Sequence, residues 1–280
     1  MAQNPNVTLD YIDKHPNYKW DYGIFSRNPN ITMDVVENNL DKKWDFHKLS
    51  YNPNLTMDFI KKHIREKWCW RGIAENPNIT IDFLKNYLDE YELLELIPYN
   101  PNLTFETVKD MSDLTFDELS YNSDREAKGW NWVCTSRNKN ITMDIIKDNP
   151  DYYWYYERVS SNPNLTIEFI RENLDKKWDW RRISQNPNIT FKMIEENPDL
   201  KWNWEAISMN PNITMDIIKE NPTKPWSWHH ISFNPNLTFD MIKENLDKSW
   251  TPEGIFGHHF NKEYQLCLEE LNKQDQIEKV

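Results

Sequence analysis

The chain has 280 residues, 38 % hydrophobic, 14 % aromatic and 28 % charged, enough apolar material for a buried core and too much for wholesale disorder. No apolar run approaches the roughly 18–20 residues of a membrane span, which excludes a membrane-spanning protein. A net charge of −12 argues against a generic binder of phosphate backbones, and 5 Gly against 16 Pro leave little room for glycine-rich phosphate loops.

Residues 1–10 carry neither a basic n-region nor an apolar h-region, so the chain reads as unsecreted. Cys69, Cys134 and Cys267 are too few and too scattered for a disulfide framework or a zinc site, which fits a reduced, intracellular setting.

Along the chain one signal dominates. Asn-Pro-Asn begins at residues 4, 28, 52, 76, 100, 162, 186, 210 and 234, with Asn-Lys-Asn at 138. The spacing is 24 residues except between 100 and 138. That stretch divides into a 22-residue unit (100–121) and a 16-residue partial unit (122–137) that keeps Trp130, Trp132 and Ser136, which makes eleven units. Residues 112–131, which include Gly129, are therefore expected to break the regularity.

Numbered 1 to 24 from its first Asn, the unit reads as two short helices. Position 4 is Val, Ile or Leu. Position 5 is Thr wherever it exists (Thr8, Thr32, Thr56, Thr80, Thr104, Thr142, Thr166, Thr190, Thr214, Thr238), and an acid follows two residues later except at Lys192. A threonine hydroxyl caps a helix N-terminus, and the acid sits where the helix dipole favours it. Apolar residues at 6, 9 and 13 recur at helical spacing. Asn at 12 before Pro at 13, as in Asn149-Pro150, Asn197-Pro198 and Asn221-Pro222, ends this helix after two turns. Asp at 14 (Asp41, Asp175, Asp199) is expected to cap the second helix, with 19, 22 and 23 on one face. Asn-Pro-Asn then turns the chain into the next unit.

Helices this short are unstable alone, so each unit must bury its face on its neighbours. The expected fold is all-α: a right-handed α-solenoid of about eleven two-helix, 24-residue repeats, built from short α or 3₁₀ helices, with an irregular break near the middle. One repeat domain is expected over 1–258, with truncated units at 100–137, followed by a capping helix or tail over 259–280.

All 14 tryptophans fall at position 17 (nine, among them Trp20, Trp44 and Trp178) or position 19 (five, among them Trp70, Trp180 and Trp228). Filling the space between units is the preferred reading, with about 2–3 kcal/mol per buried ring. A row of exposed rings for stacking on bases or sugars is the alternative, stronger at 17 than at 19. Unit four replaces Trp-x-Trp with Glu92-Leu93-Leu94 and has Pro98 where Ser is usual.

The unit is similar to the leucine-rich variant repeat, on the Asn210–Ile218 stretch (Asn-Pro-Asn-Ile-Thr-Met-Asp-Ile-Ile) and the Ile207–Pro211 joint. The Trp-x-Trp pair lies outside that pattern. Asn221–Trp228, set between Asn-Pro-Asn-Ile-Thr and Asn-Pro-Asn-Leu-Thr, resembles the tryptophan-rich repeat proteins of mimivirus-like giant DNA viruses. The likeness covers roughly residues 4–257 and implies a solenoid of viral origin, at work in the host cytoplasm, a viral factory or the virion. It carries over no catalytic residues.

Chemistry beyond architecture is sparse. Asn-x-Thr, as at Asn30–Thr32, matches a glycosylation acceptor, but a turn and a helix cap explain it better. Acid at 7 with base at 10, as in Asp58/Lys61 and Asp216/Lys219, reads as a solvated face. His229-His230 and His258-His259 form weak metal candidates, since neighbouring helix residues point about 100° apart. No nucleophile elbow, P-loop, dinucleotide fingerprint or His-Glu-x-x-His occurs, so no cofactor, metal or catalytic residue is assigned and an enzyme is the least favoured class.

The units differ most at positions 20 and 21. Arg71, Arg158, Arg181, Arg182, His229 and His230 there, against Glu95, Glu157 and Glu205, form the candidate interaction surface. The expected function is a non-enzymatic scaffold for protein–protein interaction. The alternatives are a nucleic-acid-binding solenoid, which the net charge disfavours, and a self-associating component of a virion or viral factory.

Overall fold

The computed structural model describes residues 20–112 and 130–257, together with Tyr11, Lys14, His15, Asn17 and Tyr18. All regular structure among these residues is helical, with no strand. The expectations placed on Thr8, Gly129, His258, His259, Cys267 and the 259–280 tail lie outside the described residues.

The chain divides into two compact units, Met1–Tyr153 and Trp154–Val280. In the first, helices of one kind (Met33–Glu37, Met57–Lys62, Ile81–Lys85, Phe105–Ser112, Met143–Asp148) alternate with helices of another (Tyr22–Phe25, Phe46–Leu49, Trp70–Ala74, Glu90–Leu96, Trp132–Thr135). The second unit has the same alternation, from Tyr156–Val159 and Ile167–Glu172 through Phe239–Glu244 and Pro252–Gly257.

Threonine starts the first helix of each repeat. Its backbone is extended, and its hydroxyl accepts the N–H three residues on. In the first unit Thr32 accepts from Val35, Thr56 from Phe59, Thr80 from Phe83 and Thr142 from Ile145, at 3.2–3.4 Å. In the second Thr166, Thr190, Thr214 and Thr238 accept from Phe169, Met193, Ile217 and Met241 at 3.2–3.3 Å. The asparagine at position 12 closes the helix by donating to the carbonyl four residues back, as Asn173 does to Phe169 (2.9 Å). Its own carbonyl then accepts the indole N–H of the position-17 tryptophan: Trp44 to Asn39, Trp178 to Asn173 and Trp226 to Asn221, each 2.7 Å.

That indole bond corrects the expected cap of the second helix. Reaching back to position 12 keeps residues 14–17 out of the helix, so the cap falls at position 18: Asp45, Asp179 and Asn203 accept the N–H three residues on at 2.8–3.1 Å. Asp41 and Asp175 pair instead with Lys42 (2.8 Å) and Lys176 (3.1 Å), and Asp199 with Arg171 (2.8 Å). One repeat does cap at position 14. Lacking Trp-x-Trp, it begins its second helix early, with Asp89 and Glu92 forming a capping box.

Asn-Pro-Asn is more than a turn. The first asparagine is buried, and its amide stitches its repeat to the preceding one. Asn52 Nδ2 donates to the carbonyls of Ser26 (2.9 Å), Asn28 (3.2 Å) and Ile31 (3.1 Å), while its Oδ1 accepts the N–H of Asn54 (2.8 Å). The other asparagine, Asn54, donates to Pro29 and Ile31 at 2.6 and 3.2 Å. In the second unit Asn210 repeats the set on Ser184, Asn186 and Ile189 at 2.9–3.2 Å. A second ladder uses the buried serine at position 23, whose Oγ accepts the N–H of the next repeat's position 18: Ser26 from Asp45, Ser50 from Cys69, Ser160 from Asp179 and Ser208 from Ser227, at 2.9–3.0 Å.

The ladder also corrects the division of residues 100–137. Asn138 donates to Pro98 (3.2 Å) and Asn100 (3.0 Å), and Asn140 to Pro101 (2.9 Å) and Leu103 (2.7 Å), the same set that successive repeats make elsewhere. Among the described residues no rung separates them. Residues 100–137 thus contribute one rung rather than two, with Phe105–Ser112 as the first helix and Trp132–Thr135 as the second. Around these ladders the core is aliphatic: Ile31, Leu55, Ile79 and Leu103 at position 4 and Leu49, Ile73, Ile183 and Ile231 at position 22 are fully buried.

Candidate interaction surface

The second helix presents the variable positions because its ends are fixed. Position 18 caps it, and positions 22 and 23 are buried, which leaves 20 outward and 21 at the boundary. Two glycines at 21 show how close that boundary is. A Cβ on Gly72 would lie 2.9 Å from the Tyr51 ring, and one on Gly254 would lie 2.6 Å from the Ser232 carbonyl oxygen.

In the first unit Arg71 is exposed. Its Nε donates to Glu75 (3.0 Å), its guanidinium lies 4.6 Å from the Tyr99 ring centroid, and the Glu75 carboxylate raises its pKa above the usual arginine value. Arg27 covers Tyr51 in the same way at 4.7 Å. The Tyr51 hydroxyl lies 3.3 Å from the Cys69 sulfur, and that contact, with burial, pushes the phenol pKa up.

The second unit holds the other five candidates. Arg158 is half-buried and Arg181 exposed. Arg182 folds back on its own cap, donating to Asp179 Oδ2 (2.9 Å) and Ser161 Oγ (3.2 Å). His229 Nδ1 meets the Thr251 hydroxyl and His230 Nδ1 lies 2.7 Å from Ser227 Oγ, with the two imidazoles edge to face at 4.9 Å. His230 Nε2 is 3.9 Å from Glu205 Oε2. Burial lowers the His230 pKa, Glu205 opposes this, and His229 and Arg181 add to it. The structure therefore groups Arg181, Glu205, His229 and His230, and ties Arg182 down.

Position 18 with 21 is a recurrent pairing: Asp45 with Lys48 (3.4 Å), Asp179 with Arg182, and Ser227 with His230. The sequence reasoning missed these partners because it placed the cap at 14. It also missed the aromatic members of position 24, Tyr51, Tyr99 and Phe233, although all three stand just before the next repeat's first asparagine.

The tryptophans are committed to packing. None of those described is exposed, and Trp44, Trp130 and Trp154 are 5–9 % exposed. The aromatic at position 19 meets the next repeat's position-17 indole edge to face: Phe46 on Trp68 and Tyr156 on Trp178 at 5.2 Å, Trp204 on Trp226 and Trp228 on Trp250 at 5.2 Å. Among the described residues no group of three or more His, Cys, Asp or Glu is placed to hold a metal ion, and no helix is long and apolar enough to cross a membrane.

No family model, curated protein or solved structure matches this chain, so the likeness to leucine-rich variant and giant-virus repeats rests on its residues alone.

Proposed function

We propose that this chain is a non-enzymatic repeat scaffold that binds another protein along its second-helix face. It would be a right-handed α-solenoid of ten layers, of viral origin and at work inside the infected cell. The supporting observation is that the same side-chain-to-backbone bonds recur in register within each compact unit, as at Asn52 and Asn210. Such layers present long, regular surfaces and suit extended partners. Most recurrent polar side chains are consumed by these bonds, which leaves the differences between repeats at positions 20 and 21. Indoles packed edge to face, with their N–H groups on backbone carbonyls, offer poor platforms for stacked bases.

The test is affinity capture with tagged wild-type protein and an Arg181→Glu/His229→Glu variant, each with and without nuclease, read by mass spectrometry. A protein captured equally with nuclease and lost with the variant supports the reading. Partners that vanish with nuclease, or recovery of the bait alone from concentrated extract, contradict it.

A further inference from the structure

A different edge of the first unit carries cations that the fold does not use. After each first helix the chain makes the same tight turn: Lys42 N–H bonds to the Asn39 carbonyl and Trp44 N–H to the Lys42 carbonyl, as Glu66 does to His63 and Trp68 to Glu66, at 2.9–3.1 Å. This turn displays position 13 and position 16 together. At 13, Leu40 is 47 % and Ile64 37 % exposed, whereas the same position in the next repeat, Leu88, is buried. At 16 stand Lys43 and Lys67, with Arg65 at position 14 directly after Ile64 in the chain, and all three are exposed.

Lys42, Lys48, Lys61, Lys62 and Arg71 around them are each paired with a carboxylate. Lys43, Arg65 and Lys67 have no carboxylate within ion-pair reach among the described residues. Lys43 and Lys67 hold the position-16 place that Lys177 and Lys201 hold in the second unit, and Arg65 adds a third exposed cation at position 14, where aspartate is usual.

Beside Lys43 opens a groove of about 590 Å³, lined by Trp20, Asp21, Tyr22, Asp41, Lys42 and Lys43. Its carboxylates are already engaged. Asp21 accepts the Ile24 N–H (3.1 Å), and Asp41 pairs with Lys42 (2.8 Å). The groove therefore offers two aromatic rings and one unpaired cation, in a volume within the range of ligand-sized clefts.

We infer that this turn edge, Leu40, Lys43, Ile64, Arg65 and Lys67 with the Trp20/Tyr22 groove, docks an acidic amphipathic segment of a partner protein. An apolar or aromatic side chain of the segment enters the groove, and its carboxylates pair with the three cations. An anionic bilayer fits less well. Asp41 and Glu66 project from the same turns, and the net charge of −12 opposes approach to a negative surface. The inference rests on the scaffold reading but uses another face.

The probe is a fluorescein-labelled peptide with four glutamates and two phenylalanines in a glycine–serine frame, titrated by fluorescence anisotropy with the full chain. Lys43→Glu/Arg65→Glu/Lys67→Glu and Leu40→Ser/Ile64→Ser alter only exposed side chains, and circular dichroism checks that each remains folded. The expected result is saturable binding that weakens at least ~10-fold in either variant and in the peptide lacking phenylalanine, and that falls with salt. No saturable binding by wild type, or equal binding by the triple variant, overturns the inference. So does a triple variant that loses phosphatidylserine vesicles while the peptide is unaffected. The Arg181→Glu/His229→Glu variant must bind the peptide normally. Partner capture unchanged in that variant, with the peptide bound normally by wild type, sinks only the companion reading; partner capture lost in that variant, with no saturable peptide binding by wild type, sinks only this one.

Discussion

Replacing Asn52 with alanine removes a complete rung of the ladder between its repeat and the one before. The buried amide has two hydrogens, shared among the carbonyls of Ser26, Asn28 and Ile31, and one oxygen that takes the Asn54 N–H. That amounts to three full hydrogen bonds at a net ~1 kcal/mol each, and the carbonyls left behind belong to the buried Ser26, Asn28 and Ile31, so the total loss is about 3–4 kcal/mol. Asn54→Ala removes a donor at the exposed rim and is expected to cost about 1 kcal/mol. Asn210→Ala, which removes the matching set in the second unit, should cost the same as Asn52→Ala. Hydrogen exchange of the flanking helices, Phe46–Leu49 and Met57–Lys62, reads the local opening free energy without assuming that a repeat array unfolds in one step. An Asn52→Ala loss under about 1 kcal/mol, or one no larger than that of Asn54→Ala, would refute the ladder as the main polar joint between repeats.

Four further outcomes follow from the same geometry. Ser208→Ala leaves the Ser227 N–H without its acceptor and should lower the local stability of the next repeat by about 1–2 kcal/mol, read by exchange at Trp228–Ile231. Trp178→Phe keeps most of the ring but loses the bond to the Asn173 carbonyl and should cost about 1 kcal/mol, against about 3–5 kcal/mol for Trp178→Ala; equal losses in denaturant would show that the ring is not packed. Gly254→Ala places a methyl 2.6 Å from the Ser232 carbonyl oxygen and should destabilise its repeat by about 1–3 kcal/mol, whereas an unchanged thermal midpoint would mean the two helices sit further apart. His230, with its pKa held below 6.5, contributes nothing to pH dependence where both states are neutral; as pH falls through the ordinary histidine range the unfolded chain takes the proton first, and stability drops until the folded-state value is passed. His230→Gln should flatten the thermal midpoint between pH 8 and pH 5, and a profile identical to wild type would contradict the burial of the imidazole.

The helices were legible because a 24-residue period repeats the same caps, and a threonine ahead of an acid is a local signal. What lay hidden was any bond between repeats. Asn52 looks like a turn residue and Ser50 like one more residue of the second helix's inner face; only the neighbouring unit supplies their partners. The position of the second cap was misplaced for the same reason, since the tryptophan that displaces it acts through a backbone carbonyl five residues away.

Departures from the repeat carry the sharper lesson, because they occur in compensating pairs. Ala74 stands where serine is usual, and the repeat after it has no position-18 cap needing a hydroxyl, since its helix already began at Asp89. Pro98 likewise offers no hydroxyl, and the next cap residue, Asn131, sends its N–H to the Leu94 carbonyl instead (3.2 Å). In that same repeat, with residues 113–129 between its helices, Trp130 donates to Thr135 (2.7 Å), a threonine at the position elsewhere held by a buried aliphatic or aromatic residue. Each substitution that looks like erosion of the pattern is thus matched by a change in the group it would have bonded. A polar residue that breaks the repeat without such a partner is a different matter, and by that criterion Arg65, which stands at position 14 where aspartate is usual and has no carboxylate partner among the described residues, is a better functional candidate than Arg182, whose guanidinium the fold already employs.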